Sequence, residues 1–315
     1  MQQRLGWVGA MVEVLGKTSI DFMGWRRYSF AVSGFFVLLG LIALFQIWRG
    51  AANLGIDFAG GTAVQLKFER PISIEKAREI LLKTGLAEVE LQEFSADNKL
   101  LVRVKAKTTI EEKVADKVLN AFRTNFPDNP FVVDASTEIG PTIGQKLQKD
   151  ALIAVGISMI GIILYVAARF EFRFGIAAAV ATFHDVFAVL GIFYFLDKEI
   201  TLLLVTALLT LAGYSLTDTV VVFDRIRENL KVRHRDPLDA TINKAVNQVL
   251  SRTVVVSLTV VLVLIPLTVF GGEVLHDFAL ALLMGVIVGT YSSVFVASPL
   301  LILWKGTPGK LLRRH

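Results

Sequence analysis

Six long apolar stretches interrupt the polar background of the chain, at about 30–48, 151–168, 174–196, 200–222, 253–271 and 278–303. A helix crosses the bilayer core with about 20 apolar residues. Each stretch is long enough, so each predicts one membrane-spanning helix. The first begins about 30 residues into the chain and lacks a small-residue cleavage site, which predicts an anchor rather than a cleaved leader.

Residues 49–149 carry another pattern. Thr62–Phe68 alternates and is β-rich, Glu88–Phe94 and Leu100–Val104 follow suit, and Phe131–Ile139 closes the set. Between them, Ile74, Ala77, Ile80 and Leu81 share one helical face ahead of Gly85. Ile110, Val114, Val118 and Phe122 recur every fourth residue behind a capping box, Thr109 to Glu112. The order β-α-β-β-α-β predicts a ferredoxin-like domain without a catalytic constellation. The expected fold is therefore a polytopic α-helical membrane protein with six transmembrane helices and one α+β ferredoxin-like periplasmic domain between helices 1 and 2. The expected division is a cytoplasmic segment 1–29, helix 1 at 30–48, the periplasmic domain at 49–149, a five-helix bundle at 150–303, and a basic cytoplasmic tail at 304–315. Within the bundle a cytoplasmic amphipathic segment is expected at 224–252. Asp236 caps a helix there, Pro237 takes its first position, and Leu238, Ile242, Ala245 and Val249 form a stripe suited to the membrane surface.

Composition agrees with this two-part plan. The 315 residues are 54% hydrophobic and 19% charged, with mean hydropathy +0.59. An average soluble domain is about 25% charged and about 45–50% apolar. Residues 49–149 hold 15 basic and 14 acidic residues. The net charge of +5 is carried by the segments expected to be cytoplasmic. Arg4, Lys17, Arg26 and Arg27 lie before the first stretch, Arg169 and Arg173 between the second and third, and seven basic residues in 224–252. Lys305, Lys310, Arg313 and Arg314 end the chain, whereas the opposite loops, Asp197-Lys198-Glu199 and Glu273 to Asp277, are acidic. This bias puts both termini in the cytoplasm. It also explains the basic pI of about 9.4 without a nucleic-acid partner.

Candidate chemistry is sparse. With no cysteine and four histidines at 184, 234, 276 and 315, no metal-ligand spacing appears. Gly60-Gly61 lacks the lysine of a phosphate loop, and Gly16-Lys17-Thr18 lacks the first Walker glycine because position 11 is Met11. No enzyme activity and no cofactor are expected. What stands out is charge inside the apolar stretches, which costs a few kcal/mol and marks function by default. His184-Asp185 lies near the middle of the third stretch, either as a bundle-locking pair or as a proton relay. Gly213-Tyr214-Ser215-Leu216-Thr217-Asp218-Thr219 lies in the fourth. Tyr214 and Asp218 share a helical face, with Ser215 and Thr219 in the next row, and Tyr214, Ser215, Thr217 and Thr219 are the expected supporting polar cluster. A desolvated carboxyl favours its neutral form, which suits Asp218 to carrying a proton. Arg252, opening the fifth stretch, is either a snorkelling anchor or the counter-charge to Asp218. Asp224 and Glu228 alternate with Arg225 and Arg227, as expected of a helix end with intrahelical ion pairs.

Several runs carry a family resemblance. They are Gly55-Ile56-Asp57-Phe58-Ala59-Gly60-Gly61-Thr62, the seventeen residues from Gly213 to Asn229, Leu267-Thr268-Val269-Phe270-Gly271-Gly272, Ile139-Gly140-Pro141 and His184-Asp185-Val186. Together the chain resembles the SecF branch of the SecD/SecF family of protein translocase subunits, within the wider resistance-nodulation-division group. The family's Asn before its intramembrane Asp is Thr217 here, which exchanges an amide for a hydroxyl and keeps the carboxyl. The resemblance implies pairing with SecD in the bacterial inner membrane, association with the SecYEG channel and YajC, and late export of preproteins driven by the proton motive force. It also implies that Asp218 and Arg252 serve the ion path. The residues alone leave two rivals: a half-unit of an ion-driven small-molecule or lipid exporter, and a passive assembly subunit with a structural Asp218.

Overall fold

The computed structural model describes residues 18–86, 89–94, 98–105, 114–232 and 236–303. The Walker-like Gly16-Lys17-Thr18 run, the capping box at Thr109 and Glu112, and the basic tail fall wholly or partly outside them. In chain order the elements are α1 (Arg26–Trp48), α2 (Ile56–Ala59), β1 (Gly61–Phe68), α3 (Ile74–Lys83), β2 (Val89–Phe94), β3 (Lys99–Lys105) and α4 (Val114–Asn125). They continue with β4 (Phe131–Ile139), α5 (Pro141–Arg169), α6 (Phe172–Phe195), α7 (Leu202–Val232), α8 (Leu238–Phe270) and α9 (Gly272–Ser292). A π-helical turn, Ser293–Ala297, leads into α10 (Ser298–Leu303). These residues divide into two compact units. One holds Asn53–Val155 and Glu199–Val205, and the other holds the remaining described residues.

The first unit is a four-stranded antiparallel sheet in the order β2-β3-β1-β4. Alternation puts Val64, Leu66, Leu100 and Val102 on one face, where α3 and α4 cover them with Ala77, Leu81, Val118 and Phe122. Phe68 meets Phe122 edge to face at 5.7 Å, which adds to area burial. Ser73 accepts the Lys76 N–H and starts α3. Gly61 has φ +147°, and a Cβ there would lie 2.4 Å from the Val104 carbonyl oxygen. The position therefore requires glycine for both conformation and room.

The second unit is helical. Among the described residues, six helices are long and apolar enough to cross a membrane, so this is a multi-pass helical membrane protein. α6 lies at the middle of its unit, packed against α1 and α9. It can do so because Ala177, Ala178, Ala181 and Ala188 are small and fully buried, and small residues let helices approach in lipid. Gly40 of α1 faces Gly191 of α6, and a Cβ on Gly40 would come within 2.3 Å of the Phe187 carbonyl oxygen.

Three features differ from the sequence expectation. No surface helix ends at Arg252, because α8 runs unbroken from Leu238 to Phe270. Its first turns pack Ile242, Ala245 and Val246 into a core with Phe22, Ile226 and Leu230, so the apolar stripe is buried by protein. The Asn243 side chain accepts the Met23 N–H and donates to Asp21, and Asn247 bonds both backbone groups of Ile20. These contacts strap residues 20–23 to α8. Pro237 is the N-cap of α8 rather than its first residue, because its extended backbone cannot join the helix. The last stretch is likewise not one regular helix, since the π turn widens it where Ser298 Oγ reaches back five residues to the Ser293 carbonyl.

Candidate functional site

Asp185 lies in α6 with no exposed surface, and His184 beside it is 2% exposed. A buried carboxylate is costly unless its lone pairs are satisfied. Here His184 Nδ1 lies 2.8 Å from Oδ1, while Oδ2 accepts hydrogen bonds from Ser215 of α7 and, at 2.8 Å, from Ser292 of α9. His184 Nε2 is buried with no partner. One turn along α7, Thr219 pairs with Ser293 at 3.0 Å. Gly289 makes this approach possible, since a Cβ there would already stand 3.2 Å from Ser215 Cβ. Three helices thus converge on one carboxylate through hydroxyls.

Asp218 occupies the same helix as Ser215 but a different environment. It is 6% exposed, and its Oδ2 is buried without a hydrogen-bond partner. Arg252 of α8 exerts its charge on Asp218, yet among the described residues no ion pair within 4.0 Å joins them. The neighbouring Thr253 hydroxyl is also buried without a partner. Leaving a buried carboxylate oxygen unmatched costs more than leaving a hydroxyl so. A proton on Asp218 removes that cost, and the approach of a guanidinium removes it differently, so the site can hold either.

The remaining sequence candidates scatter. Thr217 is exposed and its hydroxyl returns to the Gly213 carbonyl at 3.1 Å, which takes it out of the buried polar cluster. Tyr214 packs beside Leu264, Ala279 and Val286. Asp224 does not pair along its own helix; it accepts from Arg169 of α5 at 3.0 and 3.2 Å. Arg225 pairs with Glu228 and also with Gln248 of α8, both at 2.7 Å, and Arg227 keeps a buried Nε without a partner. Gly271 and Gly272 turn α8 into α9, with Gly272 at φ +65°. In the other unit Gly55, Phe58, Gly60 and Gly61 lie around α2. A Cβ on Gly144 would be 2.9 Å from the Phe58 carbonyl oxygen, and one on Gly60 would be 3.0 Å from Pro141. Asp57 accepts the Leu202 N–H at 3.0 Å.

Sequence reasoning missed Ser292 and Ser293. Their one signal is the hydroxyl run Thr290-Tyr291-Ser292-Ser293 behind Gly289 in an otherwise apolar stretch. Tyr291 bonds Ser33 and the Ser29 carbonyl of α1, and Thr290 bonds Ser257 of α8 at 2.6 Å. Among the described residues no group of three or more His, Cys, Asp or Glu is placed to hold a metal.

Comparison with known proteins follows the same residues. The family model for the C-terminal part of the SecD/SecF protein export membrane proteins matches residues 118–307, and the SecD/SecF GG motif matches 52–72. The protein translocase subunit SecF of Thermodesulfovibrio yellowstonii is 50% identical over 295 residues, which cover 93% of this chain and 97% of that one. SecF of Calditerrivibrio nitroreducens is 40% identical over 91% of this chain and 95% of its own. Among solved structures, SecDF from Thermus thermophilus, described as a translocon-associated membrane protein, superposes with a TM-score of 0.79 at 38% identity. The match covers 91% of this chain and 39% of that longer chain.

Proposed function

The chain belongs to the SecF family of protein translocase subunits, and from that premise we propose that it works with SecD as the ion-driven accessory of the Sec translocase. In this reading it sits in the bacterial inner membrane with both termini cytoplasmic and with residues 49–149 as a periplasmic ferredoxin-like domain. Residues 1–29 and 304–315 are cytoplasmic, 30–48 is the first span, and 150–303 forms the bundle. The charge bias of the short segments supports the orientation, and the strand order β2-β3-β1-β4 supports the ferredoxin-like arrangement. SecYEG, YajC and the emerging preprotein are its further partners.

The observation that carries the mechanism is the unmatched Oδ2 of a 6% exposed Asp218 with Arg252 as its acting cation. Asp218 takes a proton while Arg252 stands off, and releases it when Arg252 closes on the carboxylate. Ser215, Thr219, His184 and Asp185 supply the polar route beside it, and Tyr214 flanks it one turn away. The alternation between the two states rearranges α7 and α8, and that movement holds an exported segment against backsliding. The sequence carries no complete nucleotide-binding motif, and in this reading the ion gradient is the energy source. The test is Asp218→Asn in cells that depend on this chain for export. Export should fall to the level of cells lacking the chain, while the amount of SecD-bound protein stays at the native level. Normal export would overturn the role, and loss of the complex itself would assign Asp218 to assembly.

A further inference from the structure

The unit containing the sheet also contains Glu199, in the short connector between α6 and α7. The connector is bound to the segment that follows α1. Ile200 N–H donates to the Asn53 carbonyl at 2.8 Å, Gly55 N–H donates to the Ile200 carbonyl at 3.0 Å, and Leu202 N–H donates to Asp57. The fit is close: a Cβ on Gly55 would stand 2.8 Å from Thr201 Cγ2. Glu199 is thereby pressed against the sheet with its side chain 11% exposed.

Four charged groups meet there. Arg103 Nε of β3 lies 3.4 Å from Glu199 Oε2, and the same guanidinium donates to Gln92 at 3.2 Å. Lys105 of β3 bridges Glu90 Oε1 at 3.0 Å and Asn53 Oδ1 at 2.8 Å. The Glu90 carboxyl of β2 faces that of Glu199 within hydrogen-bonding reach. Glu199 Oε1 is buried and receives no hydrogen bond from any donor group. Two carboxylates are both acceptors, so they can bond only if one of them carries a proton. Glu90 already has its ammonium partner. The proton therefore belongs on Glu199, whose O–H donates to Glu90.

We propose that Glu199 and Glu90 form a proton-binding pair outside the membrane, which fastens the α6–α7 connector to the sheet when protonated and loosens it when the proton leaves. With the proton on, the chain of contacts runs from Glu199 to Glu90, Lys105 and Asn53, and closes through the Ile200 and Gly55 amides. With the proton off, two negative groups abut, Arg103 and Lys105 offset only part of the repulsion, and the connector amides open. The connector leads directly into α7, which carries Asp218. The outer compartment's pH is thus sensed at the root of that helix. Burial, then the Glu90 contact, pushes Glu199 up to about 7 against the pull of Arg103, from an ordinary 4.5. Burial pulls Glu90 upward as well, but the Glu199 proton and Lys105 outweigh it and hold Glu90 below its ordinary value. Glu199 binds more protons folded than unfolded between those limits. Its contribution is therefore fully present below the ordinary value and lost as pH rises through about 7.

Hydrogen exchange of the full chain in lipid nanodiscs tests this pair, read on peptides covering 53–57 and 199–205. After correction for the intrinsic pH dependence of exchange, protection of these amides should fall at least about threefold between about pH 6 and about pH 8. Core amides of β1 and β3 should hold theirs. Glu199→Gln keeps a donor toward Glu90 and should remove the step, leaving protection high throughout. Glu90→Gln removes the facing charge and should move the midpoint to lower pH, which decides the matter even if Glu199→Gln fails to fold. Flat protection in the native chain, or an unmoved midpoint in a folded variant, overturns the proposal. The readout does not involve Asp218, so it stands or falls apart from the export mechanism.

Discussion

A carboxylate buried in a membrane helix stands out because the sequence around it is almost wholly apolar. That is why Asp218 and Asp185 are legible as single letters in apolar runs, while their environments are not. Asp185 has three partners, from its own helix and from two others, so both of its oxygens are matched. Asp218 has an unmatched oxygen and reads as a site in waiting. The polar run groups Thr217 with Ser215, but two residues turn a helix by about 200°, and Thr217 faces outward. Ser292→Ala should test the junction. Hydroxyl bonds inside membrane bundles are worth about 0.6 kcal/mol on average and up to about 1.7. A small drop in melting temperature in detergent is expected, with export retained. A loss of export at unchanged stability would instead move Ser292 into the ion route.

At the scale of elements, the sheet and its helices could be anticipated because alternation and turn residues are local signals, and the register then follows from burial of one face. The continuity of α8 was hidden. Residues 238–252 mix polar and apolar side chains and 253–270 are almost wholly apolar, and that change of composition imitates a boundary although no glycine or proline interrupts the helix near Arg252. The π turn at Ser293–Ala297 has no local signature either, since it widens the helix to seat Ser293 against Thr219. The α1–α6 crossing depends on Gly40 and Gly191. Gly40→Val should overpack it at a cost of about 1–3 kcal/mol. The expected result is earlier thermal unfolding and easier proteolysis next to α1, and an unchanged melting curve would mean that the crossing is loose.

For the whole molecule, the hydrophobic pattern foretold the six spans and the intervening α+β unit. It did not foretell that the α6–α7 connector belongs to the sheet-bearing unit, because Glu199 looks like any loop charge until β2 and β3 are seen to bury it. Three of the spans, α1, α5 and α8, bury only 17% of their most apolar window, against 61% for α6. The chain's own residues therefore leave much of the surface of these three helices uncovered. In the proposed mechanism an ion passing Asp218 drives export. The most direct measurement is preprotein translocation into inverted membrane vesicles, with and without an imposed proton or sodium gradient, for the native chain and for Asp218→Asn. Gradient-stimulated translocation is expected in native vesicles, and only the unstimulated rate in Asp218→Asn vesicles containing equal complex. Equal stimulation in both would contradict it.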